Sequence, residues 1–310
     1  MATAIPLNLP QKGEIVAGKY RIEDVLGQGG VGIVVAARHT VLGQRVAIKF
    51  LLHPAAQAPE DAERLLREAR AISMIKSDHV TRVLDVDRLP SGAPFMVMEY
   101  LAGTDLGRLR RARGRLPPSD AVDAVLQACE PLAEAHAMGI VHRDLKPGNL
   151  FVVARPDRSL SIKVIDFGIA KIERDRGGRL TATGVVAGSP QYMAPEQMQS
   201  LKLVDQRADI WSLGVILYYL MSGRRPYEGS TIAALWTAMI TAPPPPLRSV
   251  CPAVPPALDA VVMKCLERDP ARRVQDLAEL SRGIAPFGSE RGRMSVEWVI
   301  RALANATPSG

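Results

Sequence analysis

The sequence predicts an α+β chain that changes from strand-rich to helix-rich about a third of the way along. Residues 20–98 hold short apolar runs of strand character and one clear helical pattern. Helical patterns dominate after residue 103, and the segment 99–103 separates the two parts. We therefore predict a small β-rich lobe with one main helix, a boundary at 99–103, and a larger, mostly helical lobe.

The composition is that of an ordinary soluble protein with enough apolar residues for a core: 310 residues, 47% hydrophobic and 23% charged. A net charge of +7 favours an anionic partner, namely nucleotide phosphates, an acidic protein, a membrane surface or nucleic acid. Three cysteines without metal-ligand spacing indicate reduced thiols and a cytoplasmic protein. The apolar stretch 210–221 is too short to span a bilayer, so no transmembrane segment is expected.

A glycine-rich segment follows the first predicted strand, with glycines at 27, 29 and 32. The same spacing occurs in dinucleotide-binding folds, which need a helix next. Residues 33–37 instead begin with β-branched side chains and lead to another strand, so we predict a hairpin. Its glycines would let backbone amides approach phosphates, although a plain glycine-rich hairpin is the alternative.

The next strand ends on Lys49 after three apolar residues. A lysine at a strand end is usually solvated, whereas the functional interpretation is a cation that contacts the α- and β-phosphates of ATP. Residues 59–76 show a helical pattern, and Glu68 falls beside its apolar stripe. Glu68 is therefore the predicted partner of Lys49, with Glu63 as the less favourably placed rival.

The segment His142–Asn149 brings together the groups that phosphoryl transfer requires. Asp144 can accept a proton from an attacking hydroxyl, and Lys146 can neutralise developing anionic charge. Asn149 and Asp166 supply oxygen atoms suited to Mg²⁺. The spacing matches the catalytic-loop and DFG signatures of protein kinases.

Residues 166–196 form a long stretch without a regular pattern, which is typical of a functional or mobile segment. Thr181 and Thr183 lie in its middle. They are either ordinary loop hydroxyls or phosphorylation sites, whose added charge Arg143 could pair with and so order the segment.

The helical part begins with a run of arginines: Arg108, Arg110, Arg111, Arg113 and Arg115. A solvated helix face explains such a run, and docking of an acidic substrate or an anionic lipid is the alternative. Nucleic-acid binding is not expected, because no aromatic residues interleave with the arginines.

Further along, we predict that Ser119 caps a helix that ends near Ala137. Asp209 is expected to cap backbone amides of the catalytic loop. Arg273 is expected to form a buried ion pair with Glu196.

Six motifs occur in order at plausible separations: the glycine-rich loop, VAIK at 46–49, HRDLKPGN at 142–149, DFG at 166–168, APE at 194–196 and DIWSLG at 209–214. On these motifs the chain resembles the Hanks-type, eukaryotic-like serine/threonine protein kinases, especially bacterial ones, from about residue 20 to 284. The resemblance implies the two-lobed protein kinase fold. It also implies transfer of the γ-phosphate of ATP to serine or threonine of proteins, because HRDLKPGN looks like the serine/threonine class.

Position by position, the resemblance implies that Lys49 and Glu68 form the activating ion pair and that Asp144 is the catalytic base. It implies that Lys146 contacts the γ-phosphate and that Asn149 and Asp166 bind Mg²⁺, with Mn²⁺ as an alternative. The expected ATP-binding residues are Leu26, Gly27, Gly29, Gly32, Val34, Ala47, Lys49, Met98, Glu99, Leu101 and Phe151, and plain core packing is the alternative for their apolar members. Regulatory roles are expected for Arg143, Phe167, Ser189, Glu196 and Arg273, and autophosphorylation for Thr181 and Thr183.

The expected organisation is a lead-in at 1–17, a small lobe at 18–98, a hinge at 99–103, a large lobe at 104–285 and a tail or short helix at 286–310. The expected partners are protein substrates and a second copy bound through the small lobe. The expected location is the cytoplasm, either as a separate protein or as the kinase domain of a membrane-anchored one. Two other functions stay open: a scaffold with this fold that binds ATP without turnover, and a small-molecule phosphotransferase.

Overall fold

The protein is described by a computed structural model covering residues 10–28, 32–51, 59–154, 160–167, 190–199 and 204–305. Its chain forms two compact units. The first unit comprises Met1–Met74 and Thr81–Ala102, and the second comprises Ile75–Val80 and Gly103–Gly310. The segment Ile75–Val80, which the sequence analysis placed in the small lobe, thus belongs to the second unit.

The first unit is built on an antiparallel six-stranded sheet in the order β1-β2-β3-β4-β6-β5. Its strands are β1 (Ile15–Val16), β2 (Tyr20–Gln28), β3 (Gly32–His39), β4 (Arg45–Leu51), β5 (Val83–Arg88) and β6 (Pro94–Glu99). The predicted hairpin at the glycine-rich segment is present as the β2–β3 pair. One helix, α1 (Pro59–Met74), accompanies the sheet.

The alternation of strand side chains divides the apolar residues of this unit between the two faces of the sheet. One face carries the cluster that contains Ile48 and Phe50. The other carries Ala47 and Met98, which pack with Leu65 and Ala69 of α1. Because α1 covers the second face, polar residues of the helix and of β4 that point the same way meet inside the unit.

The second unit contains a three-stranded antiparallel sheet and most of the helices. The strands are β7 (Gly103–Asp105), β8 (Leu150–Ala154) and β9 (Leu160–Val164). The helices are α2 (Leu106–Arg113), α3 (Pro118–Ala137), α4 (Pro195–Gln199), α5 (Arg207–Ser222), α6 (Ile232–Thr241), α7 (Leu247–Val250), α8 (Pro256–Cys265), α9 (Leu277–Ile284) and α10 (Glu290–Ala304), with short 3₁₀ turns at Pro147–Asn149, Pro190–Tyr192 and Ala285–Phe287.

Helix α5 is the centre of this unit, since every residue from Ala208 to Ser222 is buried. A helix that is apolar on all sides is typical of the core of a large domain. The three cysteines are free thiols, as expected. Burial raises the pKa of both Cys129 and Cys265 to about 12, so these two thiols are unreactive at neutral pH.

The predicted cap of α3 is wrong. The helix begins at Pro118 with Pro117 at the N-cap, and no side chain caps it. Proline is favoured in the first turn because its missing N–H has no helical partner there. Ser119 lies inside that turn, where its hydroxyl donates to the Asp120 carboxylate at 3.3 Å.

The segment 286–310, for which the sequence allowed a tail or a short helix, contains the helix α10 packed against α3. Its buried residues include Gly292, Ser295 and Val299. At the start of α10, the Ser289 amide donates to Asp123 of α3 at 2.8 Å. Near its end, the Trp298 indole donates to Glu134 of α3 at 2.9 Å.

Within the described ranges, none of the helices combines the length and the apolar character that crossing a membrane would need.

Candidate active site

The predicted ion pair between β4 and α1 is present. Lys49 Nζ lies 2.8 Å from Glu68 Oε1, and both residues are buried. The rival candidate, Glu63, is exposed and lies 3.8 Å from Arg67 on the same helix. The apolar stripe of α1 turns Glu68 toward the sheet, so a lysine that would normally reach solvent is held inside the unit.

At Gly32, strand β3 of the glycine-rich hairpin lies close to the backbone of the neighbouring strand β4. A Cβ atom at Gly32 would overlap the Phe50 carbonyl oxygen, so this position needs a residue without a side chain. A Cβ atom at Gly27 would meet no atom within 4 Å. The register of β2 shifts between Val25 and Gly27, which leaves Leu26 as an extra, 41% exposed residue. Gly29 lies outside the described residues.

The other predicted ATP-binding residues divide between the two units. Ala47 and Met98 are cross-strand neighbours in the apolar cluster under α1, and Val34 packs on the same cluster. The Glu99 amide donates to the Arg82 carbonyl at 3.0 Å. Phe151 is a half-buried residue of β8 in the second unit.

The predicted catalytic groups of the second unit converge on the Asp144 carboxylate. Lys146 Nζ lies 3.1 Å from Asp144 Oδ2. The Asn149 amide nitrogen donates to the backbone carbonyl of Asp144 at 2.9 Å and to Oδ2 at 3.3 Å. Asp144 and Asn149 are buried and Lys146 is half-buried, so a carboxylate and a cation meet in a partly desolvated place.

Two residues of the site adopt left-handed backbone conformations, Arg143 with φ 63° and Asp166 with φ 56°. Such conformations cost about 1–3 kcal/mol each in a non-glycine residue and cluster at functional sites. Hydrogen bonds to Asp209 of α5 stabilise the left-handed conformation of Arg143. The Asp209 carboxylate accepts the amides of His142 at 2.9 Å and Arg143 at 2.8 Å, as the sequence predicted.

A histidine that the sequence analysis missed completes this support. His136, near the end of α3, contacts Asp209 Oδ2 through Nε2 at 2.8 Å, and both side chains are fully buried. Burial would raise the pKa of Asp209, but the hydrogen bond from His136 and the backbone amides outweigh burial and lower this pKa. No local pattern marks His136, because its partner lies 73 residues away.

His142 and Phe167 pack against each other at the catalytic loop. Their rings lie 4.9 Å apart, and both residues are almost completely buried. Burial lowers the pKa of His142 even though Asp209, Asp144 and Asp166 act in the opposite direction. The imidazole is therefore neutral at pH 7.

This burial predicts a pH dependence of stability. Since His142 binds its proton less readily in the folded state, the free energy of unfolding is expected to fall as the pH drops below about 6.5, by at most about 1.4 kcal/mol per pH unit. Urea titrations between pH 7 and pH 5 measure that slope. His142→Leu should flatten it, and the half-buried His39, changed to Gln, is the control. An equal slope in all three proteins would contradict this assignment.

Farther along the chain, the predicted pair between Glu196 and Arg273 is present and bidentate. Nη1 of Arg273 lies 2.7 Å from Oε1 of Glu196, and Nη2 lies 3.0 Å from Oε2. Gln197, which the sequence analysis did not single out, donates from Nε2 to the Arg143 carbonyl at 2.9 Å. Helix α4 is thereby tied both to the core and to the catalytic loop.

Three further predicted residues, Thr181, Thr183 and Ser189, lie outside the described residues. Their roles stay predictions.

The donor set fits a hard divalent cation. Asn149 directs its amide nitrogen to Asp144, which leaves its oxygen as the coordinating atom, and Asp166 offers a half-buried carboxylate. Amide and carboxylate oxygens are the ligands that Mg²⁺ accepts, usually together with substrate phosphates. Among the described residues, no cluster of three histidine, cysteine or acidic side chains forms a metal cage, so a bound Mg²⁺ would need ligands from the nucleotide or water.

Comparison with known proteins agrees with this geometry. The family model described as protein kinase domain matches residues 20–281. The chain is 39% identical to the serine/threonine-protein kinase Pkn1 of Myxococcus xanthus over 90% of its length, and 35% identical to PknB of Mycolicibacterium smegmatis over 86%. It spans only 39% and 42% of the lengths of those two relatives.

Solved structures show the same fold. The kinase domain of Mycobacterium tuberculosis PknI superposes with a TM-score of 0.68 at 24% identity, covering 90% of this chain and all of that one. Rad53, crystallised with AMP-PNP, gives a TM-score of 0.69 at 24% identity, covering 85% of this chain and 64% of that one. The predicted α+β kinase fold is confirmed. The chain therefore belongs to the protein kinase family, within the Hanks-type serine/threonine branch that its bacterial relatives represent.

Proposed function

We propose that the chain transfers the γ-phosphoryl group of ATP to serine and threonine hydroxyls of proteins. The observation that carries this proposal is the convergence of Lys146 and Asn149 on the Asp144 carboxylate, 3.1 Å and 3.3 Å from its Oδ2. A base held beside a cation and an oxygen ligand suits phosphoryl transfer, whose catalysis rests on positioning and charge stabilisation.

In this proposal Asp144 accepts the proton of the substrate hydroxyl. Lys146 stabilises the negative charge of the transferred group, and Lys49, oriented by Glu68, holds the α- and β-phosphates. Asn149 and Asp166 would hold Mg²⁺, which would neutralise part of the phosphate charge. Gly27, where a Cβ atom would meet no other atom within 4 Å, leaves room for the phosphates near the backbone of the hairpin. Gly29, Gly32 and the residues predicted to bind the adenine keep their ATP-binding roles as part of the proposal.

Incorporation of labelled phosphate from ATP into a generic basic protein, with Mg²⁺ present, tests the function. We expect label on serine and threonine after acid hydrolysis, and we expect chelation of the metal to abolish it. ATP binding without transfer would favour the scaffold. Transfer to an aminoglycoside or to choline, but not to protein, would favour a small-molecule phosphotransferase.

The buried pair gives a sharper test. Glu68→Gln removes the charge that orients Lys49, and since a hydrogen bond between charged groups contributes about 1.5–3 kcal/mol, we expect kcat to fall about 10- to 100-fold. Glu63→Gln changes the same residue type on the exposed side of α1 and is the matched control. Equal activity of the two variants in steady-state assays would exclude the proposed role.

Phosphorylation of Thr181 and Thr183 by the chain itself is part of the proposal. The double change to alanine is expected to lower kcat, because no phosphate is then available to pair with Arg143. The rates of this variant and of the wild type are compared before and after treatment with phosphatase. A wild type that is insensitive to phosphatase would rule out this switch, and mass spectrometry identifies the modified residue.

The remaining expectations, a cytoplasmic location and a homodimer through the small lobe, stay predictions, as do the hinge at 99–103 and the regulatory roles of Phe167 and Ser189.

A further inference from the structure

Two arginines meet where α2 approaches the end of α5 in the second unit, and each has an exposed arginine next to it in the sequence. These residues, Arg110, Arg111, Arg224 and Arg225, are called the arginine cluster below. Cζ of Arg110 lies 4.9 Å from the ring centroid of Tyr219, and Cζ of Arg225 lies 5.4 Å from the same centroid. Two guanidinium groups thus share one aromatic ring.

The cluster is held in place by the fold. Tyr219 is buried, and its ring meets that of Tyr192 edge to face at 6.4 Å. Nε of Arg225 donates to the Tyr192 hydroxyl at 3.4 Å. Gly223, with φ 79°, leaves space for the Arg110 side chain, because a Cβ atom at position 223 would overlap the Arg110 guanidinium.

The cluster carries four positive charges, and none of its arginines forms an ion pair in the described part of the chain. No carboxylate of that part lies within 4.0 Å of any of the four arginines. Arg111 and Arg224 are exposed. Like charges brought together repel one another, so an arrangement of this kind favours an anion.

The position of the cluster relates it to the catalytic loop. Helix α5 holds that loop through Asp209 and holds Tyr192 through Ser212, whose hydroxyl donates to the Tyr192 carbonyl at 2.8 Å. Tyr219 lies ten residues beyond Asp209, or about 15 Å along the helix. An extended peptide covers that distance in about four to five residues.

We propose that the arginine cluster binds acidic side chains of the protein substrate, a few residues from the hydroxyl that is phosphorylated. This inference rests on the proposed kinase function and names the substrate class it prefers. An acidic peptide is favoured over a membrane because Arg225 contacts Tyr192, which helix α5 links to the catalytic loop. Arginine also suits carboxylates, since its planar group donates two parallel hydrogen bonds.

The test compares three threonine peptides with flanking alanines, glutamates or lysines at positions three to five on both sides. For the wild type we expect kcat/KM to be highest for the glutamate peptide, and its KM to rise with salt. The variant Arg111→Gln/Arg224→Gln changes two exposed side chains. It should lose the preference for glutamate by roughly 2- to 30-fold, through KM, and should keep its activity on the alanine peptide.

The control, Arg21→Gln/Arg282→Gln, removes the same charge from exposed positions elsewhere and should keep the preference. Equal kcat/KM for the glutamate and alanine peptides, or a preference that both double variants retain, would overturn the proposal. Fluorescence anisotropy of labelled peptides gives their affinities without turnover, so the surface is tested even if no phosphate is transferred. Loss of binding to phosphatidylserine vesicles or oligonucleotides in the first variant, without any preference for glutamate, would instead assign the cluster to those ligands.

Discussion

Asp144→Asn is expected to lower kcat by about 10²- to 10⁴-fold, the usual contribution of a positioned general base. The amide has nearly the shape of the carboxylate but cannot accept the substrate proton. The change also weakens the contact with Lys146, whose Nζ lies 3.1 Å from Oδ2 in the wild type. If the new amide nitrogen takes the place of Oδ2, it faces the amide nitrogen of Asn149, and two donors cannot form a hydrogen bond with each other. Steady-state phosphorylation of a protein substrate, measured at saturating ATP, gives this ratio.

Asp120→Asn is the control, because it makes the same chemical change at an exposed position of α3. Thermal unfolding of both variants should resemble that of the wild type, and ATP affinity should change little. Retention of more than a tenth of wild-type kcat in Asp144→Asn would remove this residue from the role of base.

Glu196→Gln is expected to cost about 3–5 kcal/mol of unfolding free energy, because it leaves a buried charge without its partner. The Arg273 side chain is fully buried and also donates to the Glu267 carbonyl at 3.0 Å, so it cannot turn out to water. Its guanidinium lies 5.2 Å from the Trp211 ring, which holds it further. Differential scanning calorimetry should show Tm lower by roughly 10 °C.

The matched control is Glu297→Gln, which removes an ion pair with Arg301 that is exposed on both sides. Such pairs contribute about 0–1 kcal/mol, so the Tm of this variant should stay within about 3 °C of the wild type. If the two variants lose the same small amount, the buried pair is not a major source of stability.

Much of the site could be predicted because its chemistry is local in the sequence. Asp144, Lys146 and Asn149 lie within one loop, and their contacts follow from that spacing. The pairing of Lys49 with Glu68 was also predictable, because the apolar stripe of one helix decides which glutamate faces the sheet. Ile33 distinguished the hairpin from a dinucleotide-binding fold, because a β-branched run after the glycines favours a strand over a helix.

Contacts between distant segments carry no such pattern. His136 contacts Asp209, and Arg110 packs on Tyr219, through the meeting of helices that no periodicity encodes. The left-handed conformation of Arg143 was equally hidden, because a non-glycine residue gives no sign of positive φ. The start of α3 was misjudged for another reason: a serine and a proline both favour helix starts, and the proline set the boundary.

The packing of α10 against α3 affects where the C-terminal boundary of an expressed domain should be placed. The family match ends at residue 281, yet Val299 is fully buried and Trp298 reaches Glu134. A chain cut at the end of the match would bare an apolar surface of α3, and such surfaces promote aggregation. The smallest piece suited to expression and crystallisation therefore continues to about Asn305, where the described helix has ended.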